Sequence, residues 1–228
     1  MSLTRVKNIT TNLGISQASP DAELHISTVR PHIDIEDTAA GARAKIGSGY
    51  ANMYLAATHS GGEIIFKNGV GGSDFPHASG TTLMTINANG YITTPLQPAF
   101  NAKSTNAIAI SGSTTLTFNE VRSNASNSYN SSNGTFTAPI AGQYIFTHKA
   151  LYYNFNTNEY LDFYTYVNGS VRNQYEQTGN AGGHTQVNYA EVVYLNQNDT
   201  FKLICNNRSI GAYSMYAQEN HFSGRLLG

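Results

Sequence analysis

Apolar and polar residues alternate along most of the chain with a period of two, and nowhere does an i, i+3, i+4, i+7 pattern persist. Alternation sends successive side chains to opposite faces of a strand, so the pattern predicts an all-β protein. The strands come in two styles. Between residues 17 and 97 they are short: Glu23–Ser27, Pro31–Glu36, Asn52–Leu55, Glu63–Phe66, Leu83–Ile86 and Tyr91–Thr93. Each offers two or three apolar side chains. Turn clusters such as Ala40-Gly41, Gly47-Ser48-Gly49, Ser60-Gly61-Gly62, Gly71-Gly72-Ser73 and Asn89-Gly90 separate them. A thin sheet of this kind buries little and leaves its edges open, and pairing with copies of itself is the physical remedy. Residues 17–97 therefore read as a β-rich stalk, with a small independent β-domain as the other reading.

Residues 98–228 carry longer, more aromatic strands: Gly142–His148, Tyr160–Val167, Val187–Leu195 and Phe201–Cys205. Their regular spacing between turn signals predicts a sandwich or barrel. Residues 1–16 hold little that could fold alone and form a separate N-terminal segment.

Composition sharpens this picture. Charged residues make up 12% of the 228 residues, and the formal net charge is −1. That is well below the quarter or so of an average soluble protein. Residues 1–97 carry six Lys/Arg against seven Asp/Glu, and residues 98–228 carry seven of each. No basic segment is dense enough to predict binding to a nucleic-acid backbone. A polar, nearly uncharged surface suits a β protein held by hydrogen bonds and subunit contacts better than it suits a cytosolic enzyme.

The single cysteine, Cys205, excludes an intrachain disulfide. It sits in an alternating strand run, where it reads either as a small buried hydrophobe or as a reactive thiol. No stretch approaches the length of a membrane helix, so membrane insertion is not expected. The first residues, Met1–Asn8, have no apolar run behind their basic residues and do not read as a signal peptide. An external role then calls for another route out of the cell, such as assembly into a virion in the host cytoplasm followed by lysis.

The run Thr135-Phe136-Thr137-Ala138-Pro139-Ile140-Ala141-Gly142-Gln143-Tyr144-Ile145-Phe146 resembles the signature of the C1q-like family: a strand ending in Phe-Thr-x-Pro, a glycine, then an aromatic strand. Other pieces follow in family order. Phe118-Asn119 and Tyr129 lie upstream, and the turn Val167-Asn168-Gly169 follows. Leu195-Asn196-Gln197-Asn198-Asp199 is similar to the family's Leu-x-x-Gly-Asp turn, with Asn198 in place of the glycine. Phe222-Ser223-Gly224-Arg225-Leu226-Leu227 closes the chain, Arg225 interrupting its apolar strand. The resemblance covers about residues 98–228. It implies a ten-stranded jelly roll that forms tight homotrimers and binds ligands without catalysis.

The first segment resembles other proteins. Leu13-Gly14-Ile15-Ser16 followed by Ser19-Pro20-Asp21-Ala22-Glu23-Leu24-His25-Ile26 is similar to a repeat of phage tail-fibre and tailspike proteins. Leu83–Ile92 resembles the Met-Thr-Ile-x-x-x-Gly-x-Ile element that ends such stalks, and Thr94–Phe100 resembles a join to a C-terminal head. Together these imply a virion structural protein: a tail fibre or spike subunit, or a capsid or neck decoration. A cellular C1q-like lectin or adhesin is the third reading, and the missing signal peptide counts against it.

No catalytic constellation stands out. There is no G-x-S-x-G elbow, no phosphate-binding loop and no H-E-x-x-H. No cofactor is implied and no metal site is assigned. His25 and His32 read as packed or solvated, and Asp162 and Glu191 read as hydrogen-bonded carboxylates, with Ca²⁺ coordination as the alternative.

The candidate sites are therefore binding sites. On Leu161–Val167 one face holds Leu161, Phe163, Thr165 and Val167, which suffices for a core. Tyr164 and Tyr166 on the other face are expected to pack near a three-fold axis, because such aromatics favour interfaces. Leu3, Val6, Ile9 and Leu13 are expected to dock on another virion protein. An up-and-down order of strands puts the connections 150–159, 176–185 and 206–221 at one end, opposite the tight turns at 167–169 and 196–199. They hold Asn156, Tyr175, Asn180, His184, Asn207 and Tyr213, amides and rings suited to a host surface glycan or other receptor. The bland reading is a set of merely solvated polar loops.

Overall fold

The computed structural model describes residues 13–15, 24–26, 32–37, 42–49, 52–57, 60–68, 80–155, 157–180, 183–208 and 213–227. The chain is all-β and divides into two compact units, residues 1–95 and 96–228.

In the first unit β1 (Leu13–Ile15) pairs in parallel with β2 (Leu24–Ile26). An antiparallel sheet joins β3 (His32–Asp37), β4 (Ala42–Gly49) and β5 (Asn52–Ala57). A second joins β6 (Ile64–Asn68), β7 (Thr81–Ile86) and β8 (Ile92–Thr93). Strand β4 spans what the glycines had marked as turn. Its apolar content is slight, but it lies between β3 and β5, so backbone hydrogen bonds on both edges hold it extended. Among the described residues of this unit none is buried. Ile35 is 58% exposed, Met53 73% and Ile92 64%.

The second unit is a jelly-roll sandwich. Its strands in chain order are β9 (Ala99–Lys103), β10 (Ile108–Ile110), β11 (Ser113–Thr115), β12 (Glu120–Ala125), β13 (Tyr129–Asn130), β14 (Thr135–Thr137), β15 (Gly142–Tyr153), β16 (Tyr160–Val167), β17 (Ser170–Thr178), β18 (His184–Leu195), β19 (Thr200–Asn207) and β20 (Tyr213–Leu226). One sheet runs β12-β9-β20-β15-β18, with β10 also on β20. The other runs β13-β14-β19-β16-β17, with β11 also on β19. Each sheet thus has six strands, twelve in all against the ten of the expected jelly roll, the short β10 and β11 lying off the two five-strand paths.

Alternation does the sorting. In β15, Tyr144, Phe146, His148, Ala150 and Tyr152 point into the core, while Gln143, Ile145, Thr147, Lys149 and Leu151 point out. The core is largely aromatic. Phe146 stacks parallel on Phe201 at 3.9 Å, and Phe100 stacks on Tyr129 at 4.6 Å. Phe222 meets Phe100 edge-on at 4.9 Å. Each such ring contributes roughly 1.5–3 kcal/mol by leaving water. His148 lies flat against Phe163 at 5.0 Å and edge-on to Phe118 at 5.6 Å.

The connections are shorter than the pattern predicts. Strand β15 runs on to Tyr153, β17 to Thr178 and β20 back to Tyr213, leaving 154–159, 179–183 and 208–212 between strands. Their shared end of the sandwich follows from the register: Tyr153 pairs with His184 and Ser214, Tyr160 with Thr178, and Leu161 with Asn207. At the opposite end Val167 pairs with Ser170 and Phe201, and Gly142 with Leu195.

Strand β20 carries the largest irregularity. Asn220 pairs with Ala150 and Met215 with Tyr152, so Tyr216, Ala217, Gln218 and Glu219 stand opposite the single residue Leu151. Gln218 takes up the left-handed conformation, φ 69°. The buried Asn220 fixes this bulge. Its Oδ1 accepts from Ser104 N at 2.6 Å, and its Nδ2 donates to Tyr216 O at 2.7 Å.

Candidate functional site

Three features of the sandwich concentrate polar chemistry. The first closes its open side, where edge strands β17 and β18 of the two sheets face each other. Glu191 on β18 is buried and accepts from Arg172 Nε and Asn173 Nδ2 on β17, the latter at 2.6 Å, and from the hydroxyl of Tyr189. Burial, reinforced by the hydrogen bond to Glu191, pushes the Tyr189 hydroxyl far above its ordinary pKa. Beside this clasp lies a groove lined by Phe163, Tyr175, Gln177, Gln186, Asn188 and Tyr189. Tyr175 and Tyr189 meet edge to face at 4.8 Å.

The second feature sits on the outer face of β16. Asp162 is buried, accepts from Tyr164 OH at 3.1 Å and pairs with Arg208 Nε at 3.0 Å. Arg208 also binds Glu176 and lies over the Tyr160 ring at 5.6 Å. Asp162 and Glu191, the two carboxylates considered for Ca²⁺, thus each carry an arginine. Among the described residues no cluster of three or more His, Cys, Asp or Glu could hold a metal ion.

The third feature lies on the outer face of the sheet containing β9, β12, β15 and β20. Lys103, Arg122, Lys149 and His221 line one pocket there. Near the start of β15, Ile145 is half-buried, and on β18 Val192 is 49% and Tyr194 61% exposed.

This two-sheet unit has a known relative at the family level: residues 99–227 match the C1q domain. The chain belongs to the C1q domain family. Its C1q domain is similar in structure to the globular domain of zebrafish complement 1qA protein, at 19% identity and TM-score 0.46, covering 58% of this chain and 98% of that one. It is also similar to murine APRIL, at 10% identity and TM-score 0.44, over 57% of this chain and 99% of that one. A third neighbour is Eiger TNF from S. frugiperda, at 9% identity and TM-score 0.47, over 58% and 93%. Among curated proteins no relative of the chain is found.

Within the C1q domain the expected receptor residues are dispersed. Asn180 and His184 stand together and exposed at the 179–183 connection, Asn180 Nδ2 donating to His184 O at 2.5 Å. Asn207 ends β19 half-buried, its Nδ2 donating to Ile110 O at 3.1 Å. Tyr175 is not on a connection; it is an exposed residue of β17, a polar edge strand whose alternation the sequence hides. Tyr213 requires a full correction. It starts β20 in the core, packs on Phe155 at 4.7 Å and donates its hydroxyl to Tyr160 O at 3.1 Å, so its ring cannot meet a receptor. Asn156 lies outside the described residues.

Tyr164 and Tyr166 are half-buried on the outer face of β16, rings 6.3 Å apart, with Lys202 over Tyr166 at 5.8 Å. Leu13 falls in β1, and Leu3, Val6 and Ile9 lie outside the described residues. Sequence reasoning passed over Val192, Tyr194 and the basic pocket. Val192 and Tyr194 were detectable, because Val187–Leu195 is apolar on both of its faces. The basic pocket was not, since its members come from four separate strands.

Proposed function

We propose that the chain is a subunit of a homotrimeric bacteriophage fibre or spike, its first unit forming a stalk and its C1q domain binding a host surface glycan or other receptor without catalysis. The observation that carries this reading is the absence of any buried residue among those described in the first unit. Three-stranded sheets that leave Ile35, Met53, Leu55 and Ile92 exposed gain little stability on their own. Copies of the same chain are the economical cover, because a symmetric assembly repeats one apolar surface and closes it. The tail-fibre-like motifs at Leu13–Ile26 and Leu83–Ile92 support the same assembly. So does the C1q domain, whose apolar outward residues Ile145, Val192 and Tyr194 offer it a face for self-association.

The first residues, with Leu3, Val6, Ile9 and Leu13, attach the fibre to another virion protein in this reading. The protein is built into particles in the host cytoplasm and acts outside. Light scattering on the purified protein is expected to give three times the monomer mass, and a monomer at micromolar concentration would refute the assembly. Mass spectrometry of separated tails and heads is expected to find its peptides in tails. Peptides confined to heads would make it a decoration protein instead.

A further inference from the structure

The sandwich has a second outer face, on the sheet that holds β16, β17 and β19. The two sheets turn their inner faces to one core, so their outer faces look in opposite directions. In the homotrimer proposed above, subunits meet on the sheet that carries Ile145, Val192 and Tyr194. The outer face of β16 then points away from the subunit contacts, and so do Tyr164 and Tyr166, which the sequence puts near a three-fold axis.

The tyrosines of this face lie down on the sheet. Alternation along β16 and β19 points Asp162 and Ile204 outward, yet they are only 1% and 8% exposed. Their neighbours cover them. Tyr164 stands opposite Ile204, and its hydroxyl reaches back along β16 to donate to Asp162 Oδ2 at 3.1 Å. Arg208 holds the same carboxylate at 3.0 Å. Tyr166 follows Tyr164 at 6.3 Å between ring centres, and Lys202, its cross-strand partner, lies over its ring at 5.8 Å. The two rings are thus fixed before a ligand arrives, which lowers the cost of binding.

Polar groups flank the rings on both sides. Gln174 pairs with Tyr164 from β17 and is exposed, and Lys202 borders Tyr166 from β19. Among the described residues neither has a hydrogen-bond or ion-pair partner. Lys202 differs in this from Lys103, Arg122, Lys149, Arg172 and Arg208, each of which meets a carboxylate. Acidic saccharides complement this set: apolar sugar faces rest on tyrosine rings, hydroxyls pair with an amide, and a carboxylate pairs with an ammonium that has no counter-charge.

We infer that the outer face of β16 binds an acidic saccharide, its sugar rings against Tyr164 and Tyr166, a carboxylate on Lys202 and hydroxyls on Gln174. This site deepens the receptor-binding reading by naming a ligand class, and it rests on that reading and on subunit contact through the opposite sheet.

Calorimetry on the full-length protein tests it with trigalacturonate, sialyllactose, lactose and acetate as probes. At least one of the two acidic saccharides is expected to bind more tightly than lactose, and acetate to give no heat. Lys202→Gln is expected to weaken that saccharide about tenfold or more and to leave lactose unchanged. Tyr166→Ala is expected to remove binding of every saccharide while light scattering finds the oligomer mass of the wild type. Melting curves identify a variant that fails to fold, and Tyr166→Leu, which keeps apolar bulk on the sheet but offers no ring, then replaces the alanine variant. No binding by either acidic saccharide, affinity no greater than that of lactose, or binding that both variants leave intact would overturn the site. So would a fall in oligomer mass in the Tyr166 variant, which would make the ring a subunit contact. A trimer that binds no probe refutes the site and leaves the assembly standing, whereas a monomer that binds an acidic saccharide refutes the assembly and leaves the site, so the two readings fail separately.

Discussion

The ring of Phe146 occupies the space where Gly224 would carry a Cβ: a methyl built there would lie 2.5 Å from Phe146 Cδ1 and 2.7 Å from Phe100 Cε1. Glycine is present so that the closing strand can lie directly beneath the stacked rings of Phe146 and Phe201. Gly224→Ala is expected to destabilise the head by about 1–3 kcal/mol through overpacking. Phe146→Leu, smaller at the contact, should recover part of that loss in the double variant. Urea unfolding of the four proteins gives the coupling; strictly additive losses would show that the ring and the glycine do not compete for the space.

Acid sensitivity should come in part from His148. Its Nδ1 donates to His221 O at 3.0 Å, its Nε2 meets no polar partner among the described residues, and burial lowers its pKa from 6.5 to about 3. The folded state therefore keeps the ring neutral while the unfolded chain takes up a proton near its ordinary pKa. Stability from this group is complete above that value and falls with decreasing pH toward about 3, by about 1.4 kcal/mol per pH unit. Urea midpoints measured across this range should fall more gently in His148→Phe than in the wild type. Equal slopes would remove His148 as the cause.

The clasp between the two sheets offers a third test. Glu191→Ala leaves Asn173 and the Tyr189 hydroxyl without their acceptor at the sandwich's open side. Arg172 is 41% exposed and can turn to water, so the loss is discounted from that of a fully buried pair to about 1–3 kcal/mol. Glu191→Gln keeps the shape and one acceptor oxygen and should lose less. A glutamine variant as unstable as the alanine variant would mean that the carboxylate charge, rather than the hydrogen bonds, matters.

Cys205 should behave as an inert core residue. Burial pushes its thiol up to about 12, and its sulfur lies 3.2 Å from the Tyr152 hydroxyl. Thiolate is the reactive form, so a disulfide reagent at mildly alkaline pH is expected to label the protein only as fast as it opens. Rapid labelling of the native protein would place the sulfur within reach of solvent.

Strands with alternating aromatics, such as Tyr160–Val167, were legible in the sequence because period-two burial and strand propensity agree there. So was the jelly roll, through the ordered pieces around Pro139, Asn168, Asp199 and Gly224. Strands β4 and β17 were not. Each is polar, and each is held extended by backbone pairing with its neighbours. Tyr213 looked like a loop residue because the β20 bulge interrupts the alternation that would have joined it to the closing strand. The basic pocket escaped for a different reason: Lys103 and His221 are far apart in the chain, and only the pairing of β9 with β20 brings their neighbourhoods together.

The lack of buried side chains among the described residues of the first unit bears on the order in which the molecule is made and lost. The buried core of the C1q domain is supplied by one chain. If copies of the chain cover the apolar residues of the first unit, as proposed, its stability follows mass action, because the cover must be supplied at a finite concentration. Heating a dilute sample should therefore melt the first unit at a lower temperature than a concentrated one, while the melting of the domain's own core shifts less. Newly made chains would likewise order from the C-terminal domain backward, with the last-translated part folding first and the first-translated part waiting for company.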